Sequence, residues 1–138
     1  GIEADRIRML PRTTTTAEHL ACYQQVDIAL DSFPYNGTTT TCEALWMGVP
    51  VVTFCGERHS ARVGAAILGQ VGLGHLAAED QTGYIKAAVG LAGDLAELVS
   101  LRAGLRQRMQ ESPLCDAHGF ARRFEVGLER AWDRAVMG

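Results

Sequence analysis

The chain has 138 residues, of which 47% are hydrophobic, and a formal net charge of −3. These values predict one globular domain with a core of its own. The weak negative charge argues against nucleic-acid binding through bulk positive charge. No apolar run reaches the ~20 residues that a membrane span needs, so we expect no membrane partner.

The predicted elements alternate between strands and helices in the first half of the chain. The β-branched and apolar runs predict strands over Arg6–Leu10, Asp27–Asp31 and Val49–Phe54, with a short edge strand over His75–Ala78. Helices are predicted between the strands, with Thr15 and Glu18 as a capping box, Ser60 as a further N-cap and Gly48 as a C-terminal cap. This β-α-β-α-β-α order is typical of a parallel sheet with right-handed crossovers.

The second half of the chain is predicted to be helical, with a tail over 93–138. Phe120, Phe124, Leu128 and Trp132 recur every four residues in its last helix, a stripe that we expect to pack in the core. Three or four strands are few for a doubly wound domain. We therefore expect residues 1–138 to form the second half of a Rossmann-like lobe within a longer polypeptide.

The cysteines at positions 22, 42, 55 and 115 have no C-x-x-C spacing. They are expected to be free thiols, as in a cytoplasmic protein. Cys55 and His59 would supply only two zinc ligands, so we expect no metal site.

The stretch SFPYNGTTTTCEALWMGVP, over Ser32–Pro50, predicts an anion site. It follows a strand, where ligands of open parallel sheets bind, and it leads into the N-terminus of a helix. Asn36 and Gly37 are expected to form a tight turn with unusual backbone angles, and Gly37 lets an anion approach the backbone. The first helical amides lack partners, and Thr38, Thr39, Thr40 and Thr41 each add a hydroxyl. Helix capping is the alternative, but one cap needs only one hydroxyl.

Two further side chains extend the predicted site from a phosphate to a nucleotide. Glu43 lies one turn after Thr39 and Thr40, so it faces the same side and suits the hydroxyls of a ribose. An ordinary solvated glutamate is the alternative. His19 lies on the preceding helix near the same sheet edge, where it could contact a base or phosphate or be purely structural.

A family resemblance is carried by Glu18–Leu68 (EHLACYQQVDIALDSFPYNGTTTTCEALWMGVPVVTFCGERHSARVGAAIL) and by SPLCDAHGFARRFEVGLERAW near the C-terminus. Both stretches resemble the C-terminal catalytic region of the O-linked N-acetylglucosamine transferase family, which includes SPINDLY-type proteins, and we assign the chain to its bacterial type. The resemblance implies the C-terminal portion of a GT-B lobe, an α/β fold with a short parallel sheet flanked by helices and with C-terminal helices. Its C-terminal half would hold the UDP-sugar, with no cofactor or essential metal.

The resemblance also implies roles for individual residues. Thr39 and Thr40 match the pair that binds the diphosphate, Glu43 the acidic residue at the ribose, and His19 a histidine at the nucleotide. Thr38 stands where relatives carry histidine. The family's catalytic lysine and base histidines lie upstream, so no catalytic residue is expected in this chain.

The implied reaction is inverting transfer of a sugar, GlcNAc by expectation, to Ser or Thr of a protein acceptor presented by upstream repeats. The chain alone is expected to be inactive, and its unpaired surfaces to favour self-association. A non-catalytic nucleotide-binding or interaction module and a glycosyltransferase with another acceptor are the alternatives.

Overall fold

The computed structural model describes residues 1–137 and shows an α/β arrangement. Its strands are β1 (Ala29–Leu30), β2 (Val51–Phe54) and β3 (Ala77–Ala78). Its helices are α1 (Thr16–Cys22), α2 (Thr39–Trp46), α3 (Val63–Gln70), α4 (Gln81–Gly93), α5 (Leu95–Glu111) and α6 (Ala117–Met137). Short 3-10 turns lie at Ala4–Arg6, Tyr23–Gln25, His59–Ala61 and Gly74–Leu76.

The three strands form one parallel sheet in the order β1-β2-β3. Ala29 pairs with Val51 on one side of β2, and Thr53 pairs with Ala77 on the other. The predicted parallel sheet is therefore confirmed. The central strand is the most buried one, as the run of Val51, Val52 and Thr53 suggests.

The core joins β2 to the helices around it. Leu45 of α2, Leu68 of α3 and Leu105 of α5 are fully buried, and they belong to one cluster with Val49 and Val52. Each buried leucine of this kind contributes about 1.5–3 kcal/mol through removal from water. Residues 95–111 of the helical tail thus supply core packing, since α5 buries four apolar side chains in the same cluster and packs against α2 and α4.

Two of the predicted caps and one further side chain set helix boundaries. Thr15 and Glu18 form the capping box at the start of α1. Asp94 caps α5 by accepting a hydrogen bond from the amide of Glu97. Gly48 follows α2 with a φ of 81°, the left-handed conformation that favours glycine at a helix end.

Three predictions are wrong. Residues 7–10 form no strand, because Ile7 and Met9 are exposed and no neighbouring strand within residues 1–137 pairs with them. Ser60 caps no helix: it lies in a 3-10 turn, and α3 begins after Arg62 without a side-chain cap. The stripe of α6 does not pack in the core, since Phe120, Phe124, Leu128 and Trp132 are 62%, 56%, 56% and 71% exposed.

None of the helices within residues 1–137 combines the length and apolar character required to cross a bilayer.

Candidate functional site

The candidate site lies beyond the carboxyl end of β1, where a loop over residues 31–38 leads into α2. Thr38 occupies the N-cap position, and its side chain makes no capping bond. The first hydrogen bond of the helix runs from the Cys42 amide to the Thr38 carbonyl oxygen, 3.1 Å away. None of the four threonine amides that precede Cys42 donates to an acceptor within residues 1–137. A helix N-terminus with several free amides favours an anion.

The four threonine hydroxyls divide into two groups. Thr41 is buried, and its hydroxyl donates to the Gly37 carbonyl oxygen at 2.9 Å, so it is not a free donor at the helix mouth. Thr38, Thr39 and Thr40 are exposed at the helix mouth. Three hydroxyls, rather than four, are therefore available to a ligand, and simple helix capping does not account for them.

The turn before α2 differs from the prediction. Neither Asn36 nor Gly37 has a positive φ, so the expected unusual backbone angles are wrong. Asn36 is buried, and its side chain donates to the Ser32 carbonyl at 3.0 Å and accepts from the Gly64 amide at 3.4 Å. Gly37 is required for space: an added Cβ would collide with the Thr40 hydroxyl and lie 3.0 Å from that of Thr41.

The carboxylate of Asp31 organises the same loop. Its Oδ1 accepts hydrogen bonds from the Gly37 amide at 2.7 Å and the Ser32 amide at 3.0 Å. Its Oδ2 accepts from the Thr53 hydroxyl at 2.7 Å. The sequence pattern indicates Asp31 only as the end of a strand, because the partners of its carboxylate are up to 22 positions away in the sequence.

His19 and Glu43 meet at the side of this helix mouth. The Nε2 of His19 lies 3.0 Å from the Oε2 of Glu43, although the two residues are on α1 and α2. Their side chains are 44% and 25% exposed, so a ligand can reach both. The structure therefore brings these two predicted site residues together beside Thr40, with one carboxylate oxygen of Glu43 outside the pair.

Tyr23 completes this polar cluster and was not predicted. Its hydroxyl lies 3.3 Å from the Thr40 carbonyl and 3.5 Å from the Glu43 carboxylate, and its ring packs edge-on against His19. Burial, and secondly the Glu43 charge, raise the pKa of Tyr23 above its usual value. The phenol therefore stays a neutral donor at physiological pH. The sequence indication for this contact is that Tyr23 follows His19 by four residues, a spacing at which helical side chains are neighbours.

Burial also raises the pKa of the Cys42 thiol, with smaller contributions from Cys115 and Glu43. Cys42 is therefore a weakly acidic, packing residue rather than a nucleophile. All four cysteines are free in the structure. No cluster of three or more His, Cys, Asp or Glu side chains suited to a metal ion occurs within residues 1–137.

A cavity of about 890 Å³ adjoins the candidate site. It lies beyond the carboxyl ends of β2 and β3, between the Phe33–Tyr35 part of the loop and the segment over residues 54–62. Phe33 stacks on Phe54 in its wall, with ring centroids 4.3 Å apart, and Arg62 lines it. The helix mouth and this cavity share one sheet edge, as ligand sites of open parallel sheets do.

Comparison with known proteins gives consistent matches. The chain matches the model of glycosyl transferase family 41 over residues 1–124. It is 44% identical over its full length to the probable UDP-N-acetylglucosamine–peptide N-acetylglucosaminyltransferase SPINDLY of Eustoma exaltatum subsp. russellianum, covering 15% of that protein. It is 46% identical over 96% of its length to the SPINDLY protein of Arabidopsis thaliana, covering 14% of it.

A solved structure is also similar. A mutant of the Thermobaculum terrenum O-GlcNAc transferase aligns with 91% of this chain and 24% of its own, at a TM-score of 0.79 and 40% identity. The chain thus spans about 15% of the length of the curated relatives it matches. Because those relatives are plant proteins, the expected bacterial type finds no support among them.

Proposed function

The chain belongs to glycosyl transferase family 41, and we propose on this premise that it forms the donor-binding part of an inverting protein O-glycosyltransferase. The donor would be a UDP-sugar and the acceptor a Ser or Thr hydroxyl, with GlcNAc as the transferred sugar. The observation that carries the proposal is the helix mouth itself, with its free threonine amides and hydroxyls beside the Glu43 carboxylate.

The diphosphate is proposed to bind at the first turn of α2. Thr39 and Thr40 would donate their amides and hydroxyls to phosphate oxygens, and Gly37 leaves the space that this contact needs. Thr38, exposed at the N-cap position, is available for a further phosphate contact. Negative charge that develops on a leaving diphosphate would be stabilised here by donors already in position.

The nucleoside is proposed to bind beside the diphosphate, at the His19–Glu43 pair. The second carboxylate oxygen of Glu43 can accept a hydrogen bond from a ribose hydroxyl while the first remains with His19. The Tyr23 hydroxyl lies between Glu43 and the Thr40 carbonyl, and it holds the ribose and diphosphate contacts at a fixed spacing. His19 remains partly exposed and can face the nucleotide.

The rest of the enzyme is proposed to lie in a longer protein. The curated relatives are about sevenfold longer than this chain, and their names describe transfer to peptides. We therefore propose that the catalytic groups and the repeats that present the acceptor lie outside this chain, and that the chain alone transfers no sugar. The proposal involves no metal or other cofactor, and it places the protein in the cytoplasm, in keeping with four free thiols.

The test is a calorimetric titration of the intact protein with UDP. Replacing Thr39 and Thr40 together with alanine removes two hydroxyl donors to a charged ligand. Hydrogen bonds of this kind contribute about 1.5–3 kcal/mol each, so the Kd should rise at least about tenfold. Thr82→Ala is the matched control, because Thr82 is also an exposed threonine in the first turn of a helix but lies on α4.

An unchanged Kd for the double variant would contradict the phosphate assignment. Titrations with UDP-GlcNAc and with GDP-sugars would identify the nucleotide and the sugar. If the intact protein binds no nucleotide despite a folded structure, a non-catalytic interaction module is the better description. Activity on a non-protein acceptor would instead indicate a related glycosyltransferase.

A further inference from the structure

We propose that Asp31 is a positioning residue of the donor site, whose carboxylate fixes the loop before α2 so that the threonine amides face the diphosphate. This inference rests on the function proposed above. Asp31 itself would not touch the donor, since its oxygens are occupied by protein donors.

The carboxylate links both ends of the loop to each other and to the sheet. One oxygen accepts from the Ser32 amide, at the start of the loop, and from the Gly37 amide, at its end. The other oxygen accepts from the hydroxyl of Thr53, which is fully buried in the central strand. The position of Gly37, and hence the start of α2, is therefore tied to the most buried strand of the sheet.

The surroundings of Asp31 leave little freedom to move. A Cβ added at Gly64, in α3, would lie 2.6 Å from Oδ2 of Asp31, and one added at Gly37 would lie 3.3 Å from Oδ1. The main chain of Asp31 is held as well, because its carbonyl oxygen accepts from the Tyr84 hydroxyl at 3.0 Å. A side chain of different length at position 31 would therefore displace the loop or α3.

A carboxylate beside a diphosphate site is electrostatically unfavourable for the ligand, since like charges repel. The hydrogen bonds that Asp31 accepts from the loop and from Thr53 explain its presence here, and its charge does not. Asp31 engages the Gly37 amide, and the amides from Thr38 onward are the ones left free at the helix mouth. The donor-binding amides therefore begin one residue after Gly37, at the first turn of α2.

Two substitutions separate geometry from charge in the intact protein. Asp31→Asn removes the charge but can keep the hydrogen bonds, because its carbonyl oxygen accepts from both amides and its amide group donates to the Thr53 hydroxyl. Asp31→Glu keeps the charge but adds a methylene and moves the oxygens. We expect the UDP Kd of Asp31→Asn to stay within about threefold of the unsubstituted protein or to fall, because repulsion is removed. The UDP Kd of Asp31→Glu should rise about tenfold or more, since the free energy of one charge-assisted hydrogen bond corresponds to at least that factor in Kd.

Uridine, which lacks phosphate, distinguishes positioning from a general loss of structure. We expect the Kd of uridine to be the same in the unsubstituted protein and in Asp31→Glu. His19 lies on α1, and Glu43 lies on α2 one turn after the threonines whose position depends on Asp31. Asp27→Glu is the matched control: it makes the same change in the segment leading into β1, at a side chain that is 84% exposed. It should leave the UDP Kd unchanged.

Several outcomes would overturn the inference. A normal UDP Kd in Asp31→Glu would show that the loop position does not depend on this carboxylate. Weakening of UDP binding in Asp31→Asn but not in Asp31→Glu would assign the effect to charge, and equal weakening of UDP and uridine in Asp31→Glu would assign it to general destabilisation. Absence of UDP binding in the unsubstituted protein would instead contradict the proposed function, and the inference with it.

Discussion

Gly37 has a spatial role rather than a conformational one. Its backbone lies outside the positive-φ region, but the Thr40 and Thr41 hydroxyls approach it so closely that a Cβ has no room. The same two hydroxyls have different tasks, because Thr41 bonds back to the Gly37 carbonyl while Thr40 remains at the surface. A small residue at position 37 therefore keeps the helix mouth open.

Replacing Gly37 with alanine should displace the first turn of α2. We expect the UDP Kd of the intact protein to rise about tenfold or more, because the amides and hydroxyls would no longer converge on one phosphate. Isothermal titration calorimetry measures this change.

Gly90→Ala provides the comparison, since an added Cβ at Gly90 of α4 meets no atom within 4 Å. This helix-interior substitution should stabilise the protein by about 0.5–1 kcal/mol and leave UDP binding unchanged. Equal affinities of the Gly37→Ala variant and the unsubstituted protein would show that the helix mouth tolerates the extra methyl group.

The sequence predicts those site residues whose structural neighbours are close to them in the chain. The position of Glu43 one turn after Thr39 and Thr40 follows from helix periodicity, and the free helix amides follow from helix geometry. The roles of Tyr23 and Asp31 were not predicted, because their contacts with Glu43 and Thr53 join residues 20 and 22 positions apart. Burial of Thr41 also depends on the packing of α2, which a run of four identical residues cannot indicate.

Among the elements, α1 is short and carries His19, so its order matters for the site. Its capping box involves Glu18, whose carboxylate accepts hydrogen bonds from Thr14 and Thr15. The Thr14 hydroxyl, followed by the Thr14 and Thr15 amides, lowers the pKa of Glu18 below its usual value. The depressed pKa means that the ionised carboxylate stabilises the folded helix.

The stability that Glu18 adds should therefore be present above pH 4.5, the ordinary value for glutamate, and should be lost as the pH falls through the lower folded-state value. We expect the amides of α1 to exchange faster with solvent as the pH is lowered through this range, after correction for intrinsic exchange rates. Nuclear magnetic resonance can follow the individual amides.

Glu18→Gln is the control for this prediction, because glutamine also completes a capping box but does not titrate. The exchange rates of its α1 amides should lack the pH dependence specific to the unsubstituted chain. If both proteins show the same dependence, another group controls the order of α1.

Contacts at the C-terminal end of α2 join this helix to α5. Arg106 of α5 donates to the Trp46 carbonyl at 2.9 Å and lies over the Trp46 ring, 5.4 Å from its centroid. A cation near the last carbonyls of a helix also complements the helix dipole. The helical second half of the chain thus contacts, through α5, the helix that carries the site.

The order of elements was predictable because helical and strand periodicities differ along the chain. The predicted strand over Arg6–Leu10 failed because an apolar run forms a strand only where a neighbouring strand can pair with it, and none within residues 1–137 does. Ser60 failed as a cap because a 3-10 turn intervenes before α3.

In the whole molecule, the least buried large element is α6. Gly119 is its only buried residue within Ala117–Met137, and its apolar stripe faces solvent. The predicted core packing of this stripe assumed that a partner surface lies within the chain. A long amphipathic helix with four exposed large apolar side chains favours association with another apolar surface.

We expect the 138-residue chain to self-associate through this stripe at high concentration. Phe124→Glu combined with Trp132→Glu should keep the chain monomeric, because two carboxylates interrupt the apolar surface. Static light scattering across a concentration series measures the molar mass.

Arg122→Gln combined with Arg130→Gln is the control, since it changes the net charge by the same amount on the same helix but leaves the stripe intact. This control should self-associate as the unsubstituted chain does. A chain that is monomeric without substitution at all concentrations would contradict the prediction.

The exposed position of α1 affects the free energy of nucleotide binding. No residue of Thr16–Cys22 is buried, and its His19 reaches α2 through one polar pair. A ligand that touches both His19 and Glu43 would link the local folding of α1 to its own binding. Part of the nucleoside's binding free energy would then be used to order α1, and the observed Kd would be higher than the intrinsic Kd. A mutation that stabilises α1 without contacting the ligand would therefore lower the observed Kd.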